Sequence, residues 1–528
     1  MSSGLSKESK LIVFVAVLAS LLEIIDASIV NVALPTMMGN LGATLEDISM
    51  VITSYAIANA IVLPVSAWLS EQFGRRKYYL GCIILFTVSS VLCGLAPNLH
   101  TLIIFRIIQG LAGGALLPTS QSLIYEQFPK EKAGMAGAIF GMSVMVGPAL
   151  GPVLGGILTD NFGWRSIFNI NLPLGLLALT VGMIAIKNPS YQNAKIGADG
   201  KRIKQKLDTL GLTLLVLGIG CLQYVLERGE SEDWFSSKFI IFNTLVAVIS
   251  LPWFVLWQLK CEYPIINIRL FKEQIVQSGV VLMSLLGFFL YGIVFLLPVF
   301  LGRAYHYDAT QIGMMFIPGS LVTMAMMPLI GKMMQSGFNV KAMIAVGFVG
   351  LELTLAIMLT FSPQSSQQHV LWSLYMRGLA LSFLFVPINS SILSQFSGVA
   401  LGQVSGLLNL FRQIGGSIGV AFVGTALAKR APQNYADMSA QVNAFNINVQ
   451  QFYQQMTSGM ASKMSSGVGF DSAHKSALQL LYLKVQNQVF MQTFLQLIFI
   501  MMLILALAFI PLYRMKLKKG PIKAVDVH

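Results

Sequence analysis

Two carboxylates stand three residues apart inside an apolar stretch near the start of the chain. Glu23 and Asp26 lie within the run that begins at Leu11 and reaches Pro35. Because residues three apart share one face of a helix, both side chains point the same way. Ionisable groups inside a membrane helix are costly and by default mark proton pathways. The alternatives are a structural ion pair for Asp26 and a water-facing side chain for Glu23.

The fourth apolar stretch carries one basic residue on a face of small and polar side chains. That face consists of Arg106, Gln109, Gly110 and Gly113. An arginine in a bilayer must face protein or water, and the glycines let a neighbouring helix come close. At ~1.5 Å per residue, Arg106 reaches the depth of Asp26, so we expect both in one cavity. Asp26 would carry the proton, Arg106 would tune it, and Glu23 is a candidate relay. The alternative is a structural arginine bonded to carbonyl groups.

The fifth apolar stretch combines glycines four residues apart with two prolines, in the order Gly147-Pro148-Ala-Leu-Gly151-Pro152-Val-Leu-Gly155-Gly156. Two prolines open the hydrogen-bond ladder of a helix and bend it. The residues predicted to act in conformational change are Gly151, Pro152, Gly155 and Gly156, together with Gly110 in the fourth stretch. For any one of these glycines alone, ordinary helix packing is the alternative.

A short loop after the second apolar stretch carries one acid and three bases around a glycine. It reads Glu71-Gln-Phe-Gly74-Arg75-Arg76-Lys77. Such a turn at the membrane surface can latch two helix ends electrostatically. The alternative is an ordinary basic loop of the kind that orients membrane proteins. The segment from Gly331 through Gly337 follows the second span of the second half and repeats this pattern faintly.

Further polar side chains are scattered through the apolar stretches. Buried polar groups need partners, so these residues either face a substrate or bond neighbouring helices. The candidates for a substrate cavity are Asn31, Tyr55, Asn59, Gln121, Tyr291, Asn389 and Arg412.

Two charged residues in the second half of the chain lie on adjacent spans. Glu352 and Arg377 each stand about eight or nine residues from the same end of their spans. Adjacent spans run in opposite directions, so the two side chains reach a similar depth. This position predicts an interhelical ion pair.

The elements that position these residues are apolar stretches long enough to cross a bilayer, which takes roughly 20 residues as a helix. We predict fourteen of them, at 11–34, 49–70, 79–96, 101–124, 133–158, 166–186, 209–227, 238–258, 275–301, 310–331, 341–361, 369–394, 402–427 and 489–513. An even number places both termini on one side, and Lys and Arg in short loops concentrate there. The positive-inside rule makes that side cytoplasmic.

The stretches between spans divide the chain into two six-helix halves and an inserted pair, the division expected of a transporter built from repeats. The second half contains a polar segment too long for a turn, which we place outside the cytoplasm with some helix of its own. The predicted parts are a first half (1–186), a basic cytoplasmic linker (187–208), two extra transmembrane helices (209–258), a second half (275–513) including the extracytoplasmic segment 428–488, and a cytoplasmic tail (514–528).

Composition excludes several other classes of protein. Hydrophobic residues make up 55% of the chain and charged residues 11%, against about a quarter charged in soluble domains. The net charge of +13 lies in loops and forms no stripe, so we expect no nucleic-acid partner. Cysteines and histidines are scattered, so no metal or other cofactor is expected. Without a P-loop or a catalytic cluster, neither an ATP-driven pump nor an enzyme is predicted.

Together these motifs resemble the major facilitator superfamily, and within it the fourteen-helix drug:proton antiporters. The loop at Glu71 is similar to the first signature of that family, with Ala67 and Glu71 where glycine and aspartate are usual. The motif at Arg106 is similar to the fourth-helix motif linked to proton coupling. Gly151-Pro152-Val-Leu-Gly155-Gly156 resembles the fifth-helix motif of antiporters.

The likeness extends to EmrB-type multidrug exporters along nearly the whole chain. It implies an all-α integral membrane protein with a major facilitator fold, in a bacterial inner membrane. It further implies a proton-coupled antiporter that exports hydrophobic drug-like molecules by alternating access. The implied partners are a periplasmic adaptor protein and a TolC-type outer-membrane channel. The alternative is a dedicated exporter of one metabolite, such as a siderophore.

Overall fold

The computed structural model describes residues 5–188, 208–442, 446–463 and 470–516. Every regular element in these ranges is helical. The predicted linker and tail fall almost entirely outside the described residues. The helices are α1 (Lys7–Leu41), α2 (Leu45–Phe73), α3 (Arg75–Leu95), α4 (Leu99–Glu126), α5 (Ala133–Phe162), α6 (Ser166–Ala185, interrupted at Ile170), α7 (Thr209–Arg228), α8 (Lys238–Lys260), α9 (Gln274–Tyr305), α10 (Ala309–Gln335), α11 (Val340–Leu359), α12 (Gln367–Leu393), α13 (Gly398–Gln441), α14 (Ile447–Lys463), α15 (Phe470–Ala506) and α16 (Phe509–Arg514).

Fourteen of the helices in the described ranges are long and apolar enough to cross a membrane, which confirms the predicted number. Several begin a few residues before the apolar run because a polar side chain caps them. Ser6, Thr44 and Asn98 each accept a hydrogen bond from a backbone N–H in the first turn. Such caps satisfy donors that a helix end leaves open. Hydropathy therefore locates a span but not its capped end.

The chain forms two six-helix bundles of matching construction, as predicted. In the first half, α1 packs on α5 and α2 on α4; in the second, α9 packs on α13 and α10 on α12. The halves meet along α5 with α10 and α2 with α13. The repeated loop is visible as well, since the turn after α2 uses Gly74 at φ 86° and the turn after α10 uses Gly337 at φ 83°. A side chain would strain both turns.

With fourteen spans, the start of α1 and the end of the last span lie at the same end of the bundle, here called the terminal end; the other is the far end. Helices α7 and α8 form a pair inserted between the halves. Asp208 fixes its terminal end by accepting hydrogen bonds from the Gly211 backbone at 2.8 Å, Trp257 Nε1 at 2.8 Å and Gln258 Nε2 at 2.6 Å. The pair is thus held by one buried carboxylate.

The polar segment predicted at 428–488 is mainly a continuation of two membrane helices. Helix α13 runs past its predicted span to Gln441, α14 follows, and α15 begins at Phe470, well before its span. Buried Asn434 joins the two long helices by donating to Thr493 Oγ1 at 2.8 Å. The helices therefore project beyond the bundle at the far end.

Candidate functional site

A charged cluster lies at the centre of the first half, around Asp26 of α1. The carboxylate accepts from Arg106 Nη1 at 2.5 Å, from Gln109 Nε2 at 2.8 Å and from Asn171 Nδ2 at 2.8 Å. Asp26 is 0% exposed and Arg106 1%. The structure thus brings Asp26 and Arg106 together. Three donors hold this one carboxylate in place.

Arg106 is held from several sides so that its charge faces Asp26. Its Nε donates to the Val51 carbonyl at 3.1 Å, its Nη1 also donates to Gln109 Oε1 at 2.9 Å, and the guanidinium lies 4.0 Å from the centre of the Tyr55 ring. Helix α2 can come this close because Gly110 has no side chain. A Cβ there would stand 2.6 Å from the Tyr55 carbonyl oxygen. The glycine face of α4 therefore places Tyr55 against the arginine.

Glu23 lies one turn from Asp26 and reaches a separate partner. Its Oε1 accepts from Asn59 Nδ2 at 3.0 Å, and the residue is 8% exposed. Helices α1 and α2 thereby bring both carboxylates and two of the predicted cavity residues, Tyr55 and Asn59, into one polar region. Glu23 is the more accessible of the two acids.

A second polar group joins the two halves toward the terminal end. Gln121 of α4 donates to Asn389 Oδ1 of α12 at 2.9 Å and accepts from Asn409 of α13 at 2.7 Å and Ser405 of α13 at 2.6 Å. Arg412 continues the group, with Nη2 3.2 Å from Asn409 Oδ1. Because these residues bond one another, the halves are closed on each other at this level.

The other residues predicted to line a substrate cavity differ in exposure. Tyr291 is 37% exposed and its hydroxyl lies 3.4 Å from Arg412 Nη1. Arg412 is 5% exposed, and its Nε has no partner among the described residues. Asn31 is exposed and lies outside the polar groups described above. In this state most of the predicted cavity residues therefore bond protein, and Tyr291 and Asn31 are the accessible members.

The basic loop after α2 holds helix ends of the first half together. Arg75 forms an ion pair with Glu126 at the end of α4, at 2.7 Å, and Arg76 Nη2 donates to the Met183 carbonyl of α6 at 2.8 Å. Glu71 lines a small cleft with Arg75, Glu126 and the first turn of α13. The loop therefore lies where the halves meet at the terminal end.

The glycines of α5 lie against α1, and the opposite side of α5 meets the second half. A Cβ on Gly155 would stand 2.8 Å from the Ile29 carbonyl oxygen, and one on Gly151 would collide with Ser28. Gly156 lies against Thr310 of α10. Pro152 lies close to Gly313 of the same helix. The motif thus places α5 between the helix that carries Asp26 and the other half of the protein.

The predicted ion pair between Glu352 and Arg377 is wrong for this structure. The guanidinium of Arg377 lies 5.1 Å from the Phe316 ring of α10, and its Nε and Nη1 have no hydrogen-bond partner in the part of the chain that the structure describes. Glu352 shares its side of α11 with Phe348, whose ring contacts Phe509 of α16. Depth in the membrane matched the two residues, but depth does not fix the direction in which a helix side chain points.

Sequence reasoning missed two polar members of the Asp26 cluster. Asn171 of α6 bridges Asp26 Oδ1 and Ser90 Oγ of α3, at 2.8 and 2.9 Å. Both are small polar residues inside apolar spans, so a search for every uncharged polar side chain at the depth of Asp26 would have found them. Among the described residues, no group of three or more His, Cys, Asp or Glu could hold a metal ion.

Two repeated bundles that enclose buried ionisable groups are the architecture of a secondary membrane transporter. The family model for the Major Facilitator Superfamily matches residues 16–420. The chain belongs to the major facilitator superfamily and is a multi-pass membrane transporter rather than an enzyme.

Relatives and a solved structure agree with this assignment. The multidrug export protein EmrB of Haemophilus influenzae is 36% identical over 83% of this chain and 84% of its own length. The multidrug export protein EmrB of Escherichia coli strain K12 is 34% identical over 85% and 86%. The structure of the proton:xylose symporter XylE bound to 6-bromo-6-deoxy-D-glucose aligns with a TM-score of 0.57 at 16% identity, covering 82% of this chain and 91% of that one. The last likeness concerns the fold alone.

Proposed function

We propose that this transporter is a proton-coupled antiporter that exports hydrophobic, drug-like small molecules by alternating access. The observation that carries the proposal is the sealed Asp26 carboxylate, which receives three hydrogen-bond donors and is 0% exposed. A proton can neither reach nor leave Asp26 unless the surrounding helices move. Protonation and conformation are therefore linked at this residue.

The switch follows from what Arg106 can pair with. Ionised Asp26 pairs with Arg106 at 2.5 Å and holds α1 against α4. A protonated Asp26 no longer attracts the guanidinium, so this closed arrangement loses stabilisation relative to any state that hydrates the arginine. Glu23, which is more accessible, is suited to pass protons between Asp26 and the cavity.

The likeness to multidrug export proteins supports export of drug-like compounds. The exposed Tyr291 near Arg412 offers an aromatic surface and a cation to such a molecule. For the remaining cavity residues, the proposal requires that the bonds among Gln121, Asn389 and Asn409 open when the halves part at the terminal end. They then become available to substrate.

The test is substrate-induced proton release from the purified protein, together with dye uptake into inverted vesicles. Asp26→Asn mimics the protonated state, so we expect proton release and gradient-driven transport to be lost while substrate binding remains. Asp160→Asn is the matched control, because Asp160 is an exposed carboxylate at the end of α5. If proton release and transport persisted in Asp26→Asn, the coupled proton would not be carried by Asp26. Glu23 would then be the next residue to test.

We further propose that the protein lies in the inner membrane with both termini cytoplasmic, so that the far end faces the periplasm. The basic loops at the terminal end support this orientation. Impermeant thiol labelling of a cysteine placed at Lys429, an exposed residue of α13 at the far end, tests it in whole cells. If labelling occurred only after cell lysis, the far end would face the cytoplasm and the proposed orientation would be wrong.

The projecting helices within 428–488 are proposed as the contact with a periplasmic adaptor that leads to a TolC-type channel. They support this role because they extend past the bundle at the far end and carry many exposed polar residues. Replacing Ile447–Lys463 with a short glycine-serine linker should spare membrane insertion and dye transport in vesicles. Drug resistance and co-purification with the adaptor should be lost; full retention of both would overturn the assignment.

A further inference from the structure

The seam between α2 and α13 is built differently at its two ends. At the terminal end the helices touch directly, since a Cβ on Gly402 would lie 3.2 Å from the Ala67 side chain and one on Gly406 would stand 2.5 Å from the Leu63 carbonyl oxygen. Toward the far end, α7 of the inserted pair contacts both helices. The two halves are therefore connected there through a third element.

On the α2 side, the connection is made by the last residue of α7. Arg228 Nη1 donates to the Glu46 carbonyl at 3.1 Å and to Ser49 Oγ. Arg228 is 9% exposed, so these bonds are largely screened from water. The inserted pair is thus attached to the first half.

On the α13 side, the connection is a closed set of three side chains. Gln223 Nε2 donates to Ser417 Oγ at 2.6 Å and to Glu227 Oε1 at 2.9 Å, and Ser417 Oγ donates to the same carboxylate oxygen at 2.9 Å. Trp234 Nε1 adds a bond to Thr425 Oγ1 at 2.9 Å. Ser417 lies five residues after Arg412 on the same helix, so these three side chains join the inserted pair to the helix that carries Arg412.

Among the residues that the structure describes, no cation is paired with the Glu227 carboxylate. The adjacent Arg228 is directed to α2 and to Glu232, 3.7 Å from its Nε. The other charged residues that follow α7 and begin α2 are all acidic: Glu230, Glu232, Asp233, Glu46 and Asp47. On α13 the charged residues on either side of Ser417 are Arg412 and Lys429. Glu227 can therefore take up a proton without breaking an ion pair.

We propose that Glu227 is a proton-sensitive latch through which the inserted pair holds the α2–α13 seam closed at the far end. Ionised Glu227 accepts two charge-assisted hydrogen bonds, which are roughly twice as strong as neutral ones. A proton taken from water at the far end removes that charge and weakens the tie to Ser417. Acid at the far end therefore favours parting of the halves there. This role rests on the alternating access of the proposed function but not on the proton site at Asp26.

The experiment measures the distance across the seam with spin labels at Asp47 and Lys429, exposed residues of α2 and α13 at the far end. The four native cysteines, Cys82, Cys93, Cys221 and Cys261, are first replaced. Asp26→Asn and Glu23→Gln are included in every variant, so the central acids contribute no pH response. Between pH 8 and pH 5 we expect the long-distance population to rise at least twofold.

Glu227→Gln should show the acid-like distribution at both pH values. Ser417→Ala keeps the carboxylate but removes its partner on α13, so its pH response should also be lost. Glu232→Gln is the matched control, because the partners of Glu232 within the described ranges, Tyr224, Arg228 and Ser237, all belong to the inserted pair, so this variant should retain the response. A pH response that survives in Glu227→Gln or in Ser417→Ala overturns the latch. The readout needs neither substrate nor transport, so failure of the antiport proposal is scored separately.

Discussion

Helices α4 and α12 hold corresponding places in the two halves, and their sequences can be laid over each other. Gln109-Gly110-Leu-Ala begins the matching stretch in α4, and Arg377-Gly378-Leu-Ala begins it in α12; Gln-Phe closes both. Each glycine allows a neighbouring helix to pack closely, since Gly110 lies against the Tyr55 carbonyl of α2 and Gly378 against the Gly319 carbonyl of α10. The backbone packing of one half is repeated in the other.

The chemistry carried on that shared backbone differs. The first half encloses two carboxylates, Glu23 and Asp26, with Arg106 between its helices. In the second half Arg377 has no ion-pair partner in the described structure, and the only acid in its predicted spans, Glu352, lies elsewhere. In the described structure, repeat symmetry therefore extends to the helix packing but not to the buried acid–arginine cluster, which lies in the first half.

The largest difference is expected between two of the buried arginines, Arg106 and Arg377. Arg106→Leu leaves the Asp26 charge buried without its partner and should lower the free energy of unfolding by about 3–5 kcal/mol. Arg377→Leu removes a charge that pairs with no acid, so the unfolding free energy should be unchanged or higher. Unfolding in mixed detergent micelles measures the free energy for both variants. Equal losses of stability would show that the two arginines do not differ in this way.

The glycine positions should respond alike in both halves. Gly110→Ala and Gly378→Ala each force a Cβ against a facing carbonyl, so both should lose roughly 1–3 kcal/mol of stability. Gly81→Ala is the control, because nothing lies within 4 Å of a Cβ at that position. Thermal unfolding of the three variants measures the effect. A loss confined to one half would mean that the packing is not shared.

A smaller effect is expected where corresponding residues meet across the halves. Gln121 and Asn389 occupy matching positions of α4 and α12 and bond each other at 2.9 Å. Replacing either with alanine should weaken closure at the terminal end, with a coupling energy near the roughly 0.6 kcal/mol typical of membrane helices. A double-mutant cycle on the stability measures it. If the two stability losses were strictly additive, the bond between Gln121 and Asn389 would not contribute to closure at the terminal end.

The smallest effect concerns the pair that the structure does not form. Glu352→Gln and Arg377→Gln should act additively, since the two side chains have different surroundings on α11 and α12. The same double-mutant cycle applies, with an expected coupling close to zero. A coupling above about 1 kcal/mol would indicate that Glu352 and Arg377 form an ion pair in another state of the protein.

Sequence alone was sufficient for the fourteen spans and for the Asp26–Arg106 pair. Length and apolarity fix a membrane helix, and two opposite charges at one depth have few other partners in lipid. The same depth argument failed for Glu352 and Arg377, because direction around a helix depends on how its neighbours pack. Asn171 was missed because nothing in the sequence of its span places its side chain beside Asp26.

The contacts of the inserted pair and the length of α13 were also beyond sequence reasoning. Gln223 and Ser417 become significant only when α7 is placed against α13. Helix α13 continues past its apolar part because Asn434 and its neighbours pack on α15, and that packing is tertiary. Hydropathy shows where the apolar part of a helix ends, but it does not show whether the helix continues into the polar region beyond.

The length of α13 has a mechanical consequence. Residues 398–431 contain no proline, so at ~1.5 Å per residue they form an uninterrupted rod of about 50 Å, longer than the hydrocarbon core. One end touches α2 at Gly402, the middle carries Arg412, and Ser417 engages the inserted pair farther on. A stiff rod transmits displacement along its whole length. A force on the protruding end of α13 therefore also acts on the contact between α2 and α13 within the membrane. A protein bound to that end could move this contact without entering the membrane.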